Sequence, residues 1–496
     1  MPASASKLPL YHVVGFSGHR QLDRGAPLVA ALQAALEALR RDGAGEWIAL
    51  SSVAAGGDTL FAHTALQMDF AWHAILPLPP AEFRRDFSDV EWREVEALLA
   101  EAEQVRVIAE NGSREDAYLD CGVETVNDCD VLLAVWDGEP ARGKGGTADV
   151  IRYARETQKP LVLIDAATGD TRRENFEKFR AHDHHLNFFN ALPDAPPGPP
   201  QETGAPPAVA AIGRFQRKVD RAASRGAPQF RRLIAGTVLL HVLATVVATA
   251  GLAFGWHVLE LPWIKLLCLT AALVVALVLR YAGSHHNWVR CRLAAEIARS
   301  ALATWGLPRA APLFRELDIV EFRQLMRSLH IQHRRAAAEK PMPLEEFRAN
   351  YLAERLEDQL GYFRHRLRRA LPVLVRLRFG FWAATILALA CTLAYAVQST
   401  AHREWLSGAA EETVFYFLPI VLPVIAAAFI SLISINDLHR RVARYREMIH
   451  FLEHARSQIV FCRTWNSLER IVQKTENALL QEVLEWHSIA SFSESH

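Results

Sequence analysis

Four apolar stretches of about 20 residues each, near the length of a transmembrane helix, constrain this chain more than any other feature. They run from Leu233 to Trp256, Pro262 to Tyr281, Phe379 to Val397 and Val414 to Ile435. A helix rises roughly 1.5 Å per residue, so each stretch can cross roughly 30 Å of hydrocarbon. Segments such as Leu266 to Leu279 and Ile420 to Ile430 carry no charge and have no polar face. A surface helix of a soluble protein would show one. The four stretches therefore read as transmembrane helices, with four buried helices of a large soluble protein as the alternative.

Arginine placement orients them. Arg225, Arg231 and Arg232 precede the first span, and Arg280, Arg290 and Arg292 end or follow the second. Arg364, Arg366, Arg368, Arg369, Arg376 and Arg378 precede the third, and Arg440, Arg441, Arg444 and Arg446 follow the fourth. The loops inside the two hairpins are nearly bare: Lys265 sits just inside the second span, and Arg403 stands alone between Gln398 and Thr413. By the positive-inside rule both hairpins dip from the cytoplasm and return, leaving both termini inside. Met1 to Pro9 carries no apolar signal region, so the first domain is expected to stay in the cytoplasm. Basic and acidic residues balance at 55 each, which gives no reason to expect a nucleic-acid partner. The cysteines at 121, 129, 268, 291, 391 and 462 lack metal-ligand spacing and read as reduced structural thiols.

Ahead of the spans, from Tyr11 to about Asp165, short β-rich runs alternate with helical stretches. The candidate strands are His12 to Phe16, Trp47 to Ser51, Trp72 to Leu76, Gln104 to Ile108, Val131 to Trp136 and Leu161 to Ile164. Strands separated by helices predict an α/β doubly wound parallel sheet of Rossmann-like type, which binds ligands beyond the carboxyl ends of its strands. Glycine loops stand at those ends: Gly15, Ser17, Gly18, His19 and Arg20 after the first strand, Gly56, Gly57 and Asp58 after the second, Asp137 and Gly138 after the fifth. Gly143, Lys144, Gly145, Gly146 and Thr147 follow. Glycine lets the backbone approach a phosphate, free N–H groups at a helix start favour an anion, and Arg20 suits bidentate phosphate contact. Asp58 and Asp149 are placed to cap helices or hold a ribose hydroxyl. Neither the dinucleotide G-x-G-x-x-G nor the Walker P-loop is present; convergence of three loops is what points to a nucleotide-type ligand. The run His182, Asp183, His184, His185 reads as solvated, and Asp128 and Asp130 as turn residues, so none receives a site role and no metal is expected.

The segments GFSGHR, SSVAAGGDTLFAHTA, ILPLPPAEFRRDF and CDVLLAVWDGEPARGKGGTADVI resemble the SLOG superfamily, Rossmann-like domains related to DprA and the LOG nucleotide hydrolases. The resemblance covers about Tyr11 to Asp165 and implies a nucleotide or nucleotide-derived ligand at Gly18, Arg20, Gly56, Gly57, Asp58, Gly145, Gly146 and Thr147. The hydrolase branch carries PGG-x-GT-x-x-E with a catalytic glutamate. Here Gly146 and Thr147 are followed by Ala148, Asp149 and Val150, so the acid is displaced by one residue and shortened, leaving Asp149 only a weak catalytic candidate. Binding is favoured over hydrolysis.

The proline-rich PDAPPGPPQETGAPPA then reads as a stiff connector. Beyond it the chain looks duplicated, each half running basic helix, hairpin and charged exit helix, with Asn287, Arg290, Arg292 and Glu296 matched against Asn436, Arg440, Arg444 and Glu447. The second half, from Tyr351, Arg355, Gln359 and Tyr362 through Glu476, Glu482 and Trp486, resembles the SLATT group, two-span modules found beside SLOG domains in bacterial conflict systems, where they are thought to form pores. The division is a tail over 1–10, a SLOG-like domain over 11–190, a linker over 191–209, and two-span modules over 210–340 and 341–496.

These features imply a nucleotide-sensing, pore-forming or membrane-disrupting defence effector, multi-pass in a bacterial inner membrane. Its partners are a nucleotide signal and the lipid bilayer. Four thin spans cannot enclose a wide channel, so a homo-oligomer is expected, with His241, Thr245, Thr249, Thr270, Thr392 and Ser431 as residues facing a pore or a neighbouring helix. The alternatives are a membrane-anchored hydrolase of an N-glycosidic bond and a scaffold with a ligand-binding head. No cofactor beyond the nucleotide ligand is indicated.

Overall fold

The computed structural model describes residues 7–22, 25–108, 113–140, 145–179, 183–196, 206–255, 261–281, 284–308, 320–339, 342–401 and 405–492. They divide into two compact units, one built from the described residues up to 191 together with 320–335, the other from the rest.

The first unit, the head, alternates strands and helices. In chain order these are β1 (Tyr11–Gly18), α1 (Ala26–Asp42), β2 (Glu46–Ser51), α2 (Gly57–Gln67), β3 (Ala71–Leu76), the single turn α3 (Pro80–Phe83), α4 (Asp89–Ala100) and β4 (Gln104–Val107). There follow α5 (Arg114–Asp128), β5 (Val131–Trp136), α6 (Thr147–Glu156), β6 (Leu161–Asp165), β7 (Thr171–Glu174) and α7 (Asp183–Ala191). The sheet order is β4-β3-β2-β1-β5-β6-β7, parallel except for β7. All six expected strands are present. The seventh, Thr-Arg-Arg-Glu, has no apolar pattern and exists because it pairs antiparallel with β6 at the sheet edge. Both sheet faces are covered: Val14 and Phe16 pack with Leu28, Leu32, Leu36 and Leu39 of α1, while Val13 and Leu132 pack with Val150 and Ile151 of α6. This explains why β5 reads as an unbroken apolar run without alternation.

The second unit opens with α8 (Pro207–Ala253), α9 (Leu261–Tyr281) and α10 (Ser284–Ala303). The chain then returns to the head as α11 (Arg323–Glu339), so residues 320–335 pack with the head although the sequence division counts them in the first membrane module. Ile331 joins the head core, Phe322 stacks on Phe189 at 5.9 Å, and Arg327 pairs with Asp130 while donating to the carbonyls of Tyr11 and Asp128. Arg335 bridges Glu46 and Glu103. The reading of Asp128 and Asp130 as mere turn residues is thereby corrected. Both lie at the amino end of β5, where Asp130 accepts from the Val13 N–H at 2.9 Å and Asp128 pairs with Arg106. Burial alone would raise the Asp130 pKa, yet Arg327 and His12 hold it well below the usual carboxylate range.

The remainder comprises α12 (Leu344–Asn350), a π-helical turn over Tyr351–Leu356, α13 (Glu357–Ala401), the short α14 (Ala409–Glu411), a second π-helical turn over Glu412–Phe417, α15 (Leu418–Ile435), α16 (Leu438–Phe461) and α17 (Trp465–Phe492). Four helices among the described residues are long and apolar enough to cross a membrane, with mean hydropathy from 1.8 to 2.5. Only 11–17 % of each apolar window is buried. Four core helices of a soluble protein would bury most of that surface, so lipid is the solvent these helices are built for. On α13 the buried face is mostly small, with Ala370, Ala384, Ala388 and Cys391 beside Leu374, and Gly380 lies where a side chain would strike the Phe429 ring of α15. Its exposed stripe is bulky, with Phe379, Trp382, Ile386, Leu389 and Leu393. Small residues at the contact and large ones toward lipid is the pattern of membrane helix packing. The span hydroxyls bond within their own helices: Thr245 donates to the carbonyl of His241, Thr249 to Thr245, Thr392 to Ala388 and Ser431 to Ala427. Trp256, Gly143, Lys144, His182 and residues 197–205 of the proline-rich connector lie outside the described residues.

In both halves the entry helix packs on the returning span and the exit helix, α8 with α9 and α10, α13 with α15 and α16. The residue-level match is weaker, since Glu296 is buried and Glu447 exposed.

Arg327→Ala leaves the Asp130 carboxylate, 12 % exposed, without its cation. The expected cost is about 3 kcal/mol, seen as a lower thermal midpoint, and pairing the change with Asp130→Asn should recover most of it. Because the folded-state pKa is depressed, the contribution is full above the ordinary value of 3.8 and is lost as the pH falls below it.

Candidate functional site

The sheet order reverses between β1 and β5, and a cavity of about 590 Å³ opens beyond the carboxyl ends of these strands. Doubly wound sheets hold their ligands at such a switch point. Three loops meet there as their strand exits require. Ser17, Gly18, His19 and Arg20 come from β1, Ser52 and Asp58 from the β2 to α2 turn, and Gly145, Gly146 and Thr147 from the start of α6. The amino end of α6 carries unsatisfied backbone N–H groups and the positive end of the helix dipole.

The other predicted positions shape these loops without lining the cavity. A side chain at Gly15 would strike Cys129, and one at Gly56, where φ is +92°, would strike the Arg20 carbonyl. Gly57 donates its N–H to the His19 carbonyl at 3.0 Å, so that amide is not available to an anion. Asp137 approaches His19 Nε2 to 3.0 Å, and Gly138 turns the chain at φ +83°. Asp149 accepts from the Gly145 N–H at 3.1 Å and pairs with Arg152 at 2.9 Å, holding its own loop instead of facing the cavity. The glycosidic-cleavage role considered for Asp149 loses its geometric basis.

Asp58 does face the cavity. Its Oδ1 accepts from Ser51 Oγ at 2.7 Å and Ser52 Oγ at 2.9 Å, and burial pushes its pKa up to about 6 against those bonds. A further wall comes from α5, which supplies Arg114, Tyr118 and Cys121. Arg20 lies over the Tyr118 ring at 5.0 Å, and Asp86 receives both the Tyr118 hydroxyl and Arg114. Burial and the Asp86 carboxylate keep Tyr118 protonated as a donor. Sequence reasoning missed these α5 residues because no motif marks them. The available signals were the Ser113 cap, which aims the start of α5, and the quoted ILPLPPAEFRRDF segment, which contains Asp86. Two guanidinium groups and a helix amino end suit an anionic ligand, while Asp58 suits a hydroxyl or amine donor.

Residues 351–486 match the family model described as SMODS and SLOG-associating 2TM effector domain 1. The second hairpin and its flanking helices are therefore a two-span effector domain of this type. The match does not extend to the head, and no curated protein matches the chain.

Three of the residues behind the resemblance, Tyr351, Arg355 and Glu476, form one buried centre with Glu296 and Ser300 of α10. Arg355, in the π-helical turn, donates to Glu476 of α17 at 2.9 and 2.6 Å and to Glu296 of α10 at 3.0 Å. Tyr351 donates to Glu476 at 2.8 Å and Ser300 to Glu476 at 2.6 Å. Arg355 is 5 % exposed, Glu296 4 % and Glu476 0 %. Burial would raise the Glu296 pKa, but Arg355 and Arg299 hold it low. The centre thus ties the exit helix of the first hairpin to the entry and terminal helices of the second.

Two outcomes follow from these sites. Asp58→Asn should raise stability above pH 6 by on the order of 3 kcal/mol, and should change little below pH 4. The sign follows because the raised pKa makes the wild type favoured below 3.8 and penalised as the pH rises through about 6, which melting as a function of pH would read. Arg355→Met strands the buried Glu476 carboxylate, while Glu296 keeps its pair with Arg299, and should cost about 3–5 kcal/mol; adding Glu476→Gln should restore most of it in thermal unfolding of the detergent-solubilised chain.

Proposed function

We propose that this chain is a membrane effector of bacterial defence, gated by a nucleotide or nucleotide derivative held in the head cavity. The observation that carries the reading is the coexistence of a switch-point cavity rimmed by Arg20 and Arg114 with a two-span effector domain on one chain. Placement of arginines at the span ends supports an inner-membrane location with both termini in the cytoplasm. A homo-oligomer supplies the wall that four spans lack. The ligand acts through its different affinity for two states of the chain, and the glycine loops close around a phosphate in one of them. On this reading the head is a SLOG-type sensor and the spans form or disrupt a passage.

A second reading has one specific observation behind it. Asp58, a buried acid with its pKa near 6 inside the cavity, is mostly ionised at neutral pH and has the protonation behaviour of a general base. A hydrolytic head would use Asp58, and Asp58→Asn would then abolish nucleotide turnover while leaving binding intact.

The deciding experiment identifies the small molecule released from the purified full-length protein by mass spectrometry and measures its binding and its effect on liposome leakage. Arg20→Ala and Arg114→Ala should each weaken binding by about tenfold or more, the worth of a hydrogen bond to a charged group, and should shift the leakage response to higher ligand concentration. A chain that retains and binds no nucleotide, and leaks under none, would sink the sensor.

A further inference from the structure

The exposed stripe of α13 does not stop where the span begins. Going back from Phe379, 74 % exposed, the same face continues through Val375 and Pro372 to Arg368, at alternating spacings of four and three residues. That spacing keeps all of them on one side of a helix. Arg376 and Arg369, seven residues apart and both exposed, flank the stripe. Val375 and Pro372 carry the apolar surface slightly beyond the span, and Arg368 and Arg369 stand one turn further on. With Arg376 they occupy roughly 5–17 Å of helix axis before Phe379, the depth of the headgroup layer and the ionic atmosphere just outside it.

Their charge is unspent. Among the described residues Arg364 pairs with Glu453 and Arg456 with Glu357, whereas none of Arg368, Arg369 and Arg376 makes an ion pair. No acidic residue occurs from Gln359 to Arg403, and the carboxylates at the start of this helix, Glu357 and Asp358, lie about 15 Å or more along the axis from Arg368. Guanidinium groups bind phosphate oxygens through paired N–H donors, and their stems lie easily along apolar surface.

We propose that Arg368, Arg369 and Arg376 form a binding site for the phosphate headgroup of an anionic phospholipid, so that the second hairpin selects the lipid that surrounds it. The site is continuous with the lipid-facing stripe, which places a headgroup above the acyl chains that cover Phe379 and Trp382. It rests on the bilayer reading of the second hairpin and is independent of the ligand in the head.

The test uses the full-length protein in detergent, with phosphatidylglycerol or phosphatidylcholine added, and native mass spectrometry to count retained lipid. Phosphatidylglycerol should be retained in preference. Replacing the three arginines together by glutamine should weaken its retention by about fivefold per arginine removed, following the usual worth of a basic residue at an anionic surface. Replacement by lysine should keep the preference, as should Arg463→Gln with Arg470→Gln, which removes charge at the far turn between α16 and α17. Equal retention of the two lipids by the wild type, or a preference that survives the triple glutamine change, overturns the site. Displacement of phosphatidylglycerol by excess inorganic phosphate would instead mean a soluble-anion site and would overturn the lipid assignment. Partition of the chain into water without detergent would defeat the bilayer reading itself, an outcome separate from these.

Discussion

A buried charge centre joins helices from both halves of the membrane unit. Arg355 divides its guanidinium between Glu476 and Glu296, with Tyr351 and Ser300 completing the hydrogen bonds of Glu476. Apolar helices in lipid have little reason to prefer one register over another, because lipid tails are as apolar as leucine. A buried ionic cluster is different, since a slip of one residue would leave carboxylates unpaired in a medium that penalises them heavily. The cluster therefore specifies how α10, the π-helical turn and α17 meet. It also makes the two hairpins one structure, since Glu296 belongs to the first half and Arg355 and Glu476 to the matched effector domain.

The head uses its two sheet edges for different work. At the carboxyl edge, glycines bring three loops close enough to wall a cavity, and Arg20 and Arg114 give it an anion-binding character. At the amino edge, Asp130, Glu46 and Glu103 receive Arg327 and Arg335 of α11. The chain leaves the head, runs through the first hairpin and comes back to be held by those acids. A parallel sheet is suited to this division because every connecting strand places its two ends on opposite edges.

Legibility followed the range of the interactions. The strands, the spans and the glycine loops were readable, since hydropathy period and glycine at a strand exit are local signals. Ser17, Gly18, His19, Arg20, Asp58, Gly145, Gly146 and Thr147 do line the cavity. Gly15 and Gly56 carried the same signal for another reason, since side chains and backbone from elsewhere approach them too closely for a Cβ, and Gly57 sits tightly against Leu22 and Gly18. Arg114 and Tyr118 carried no motif of their own, because an arginine and a tyrosine on an amphipathic helix look ordinary until the helix is laid beside β1. β7 was invisible for a similar reason, being polar and held only by its partner strand.

By itself the sequence determined the element types, the four spans and the presence of an α/β head, because each depends on the composition of a short window. Only the tertiary structure decided that residues 320–335 pack with the head, that Asp149 turns to its own loop, and that Arg355 gathers acids from two distant helices. It also decided that the bulky face of α13 is the one left for lipid, while alanines and a glycine meet the neighbouring helix. These outcomes join residues far apart in the chain, and the free energy that selects them arises only when packing brings their charges and surfaces together.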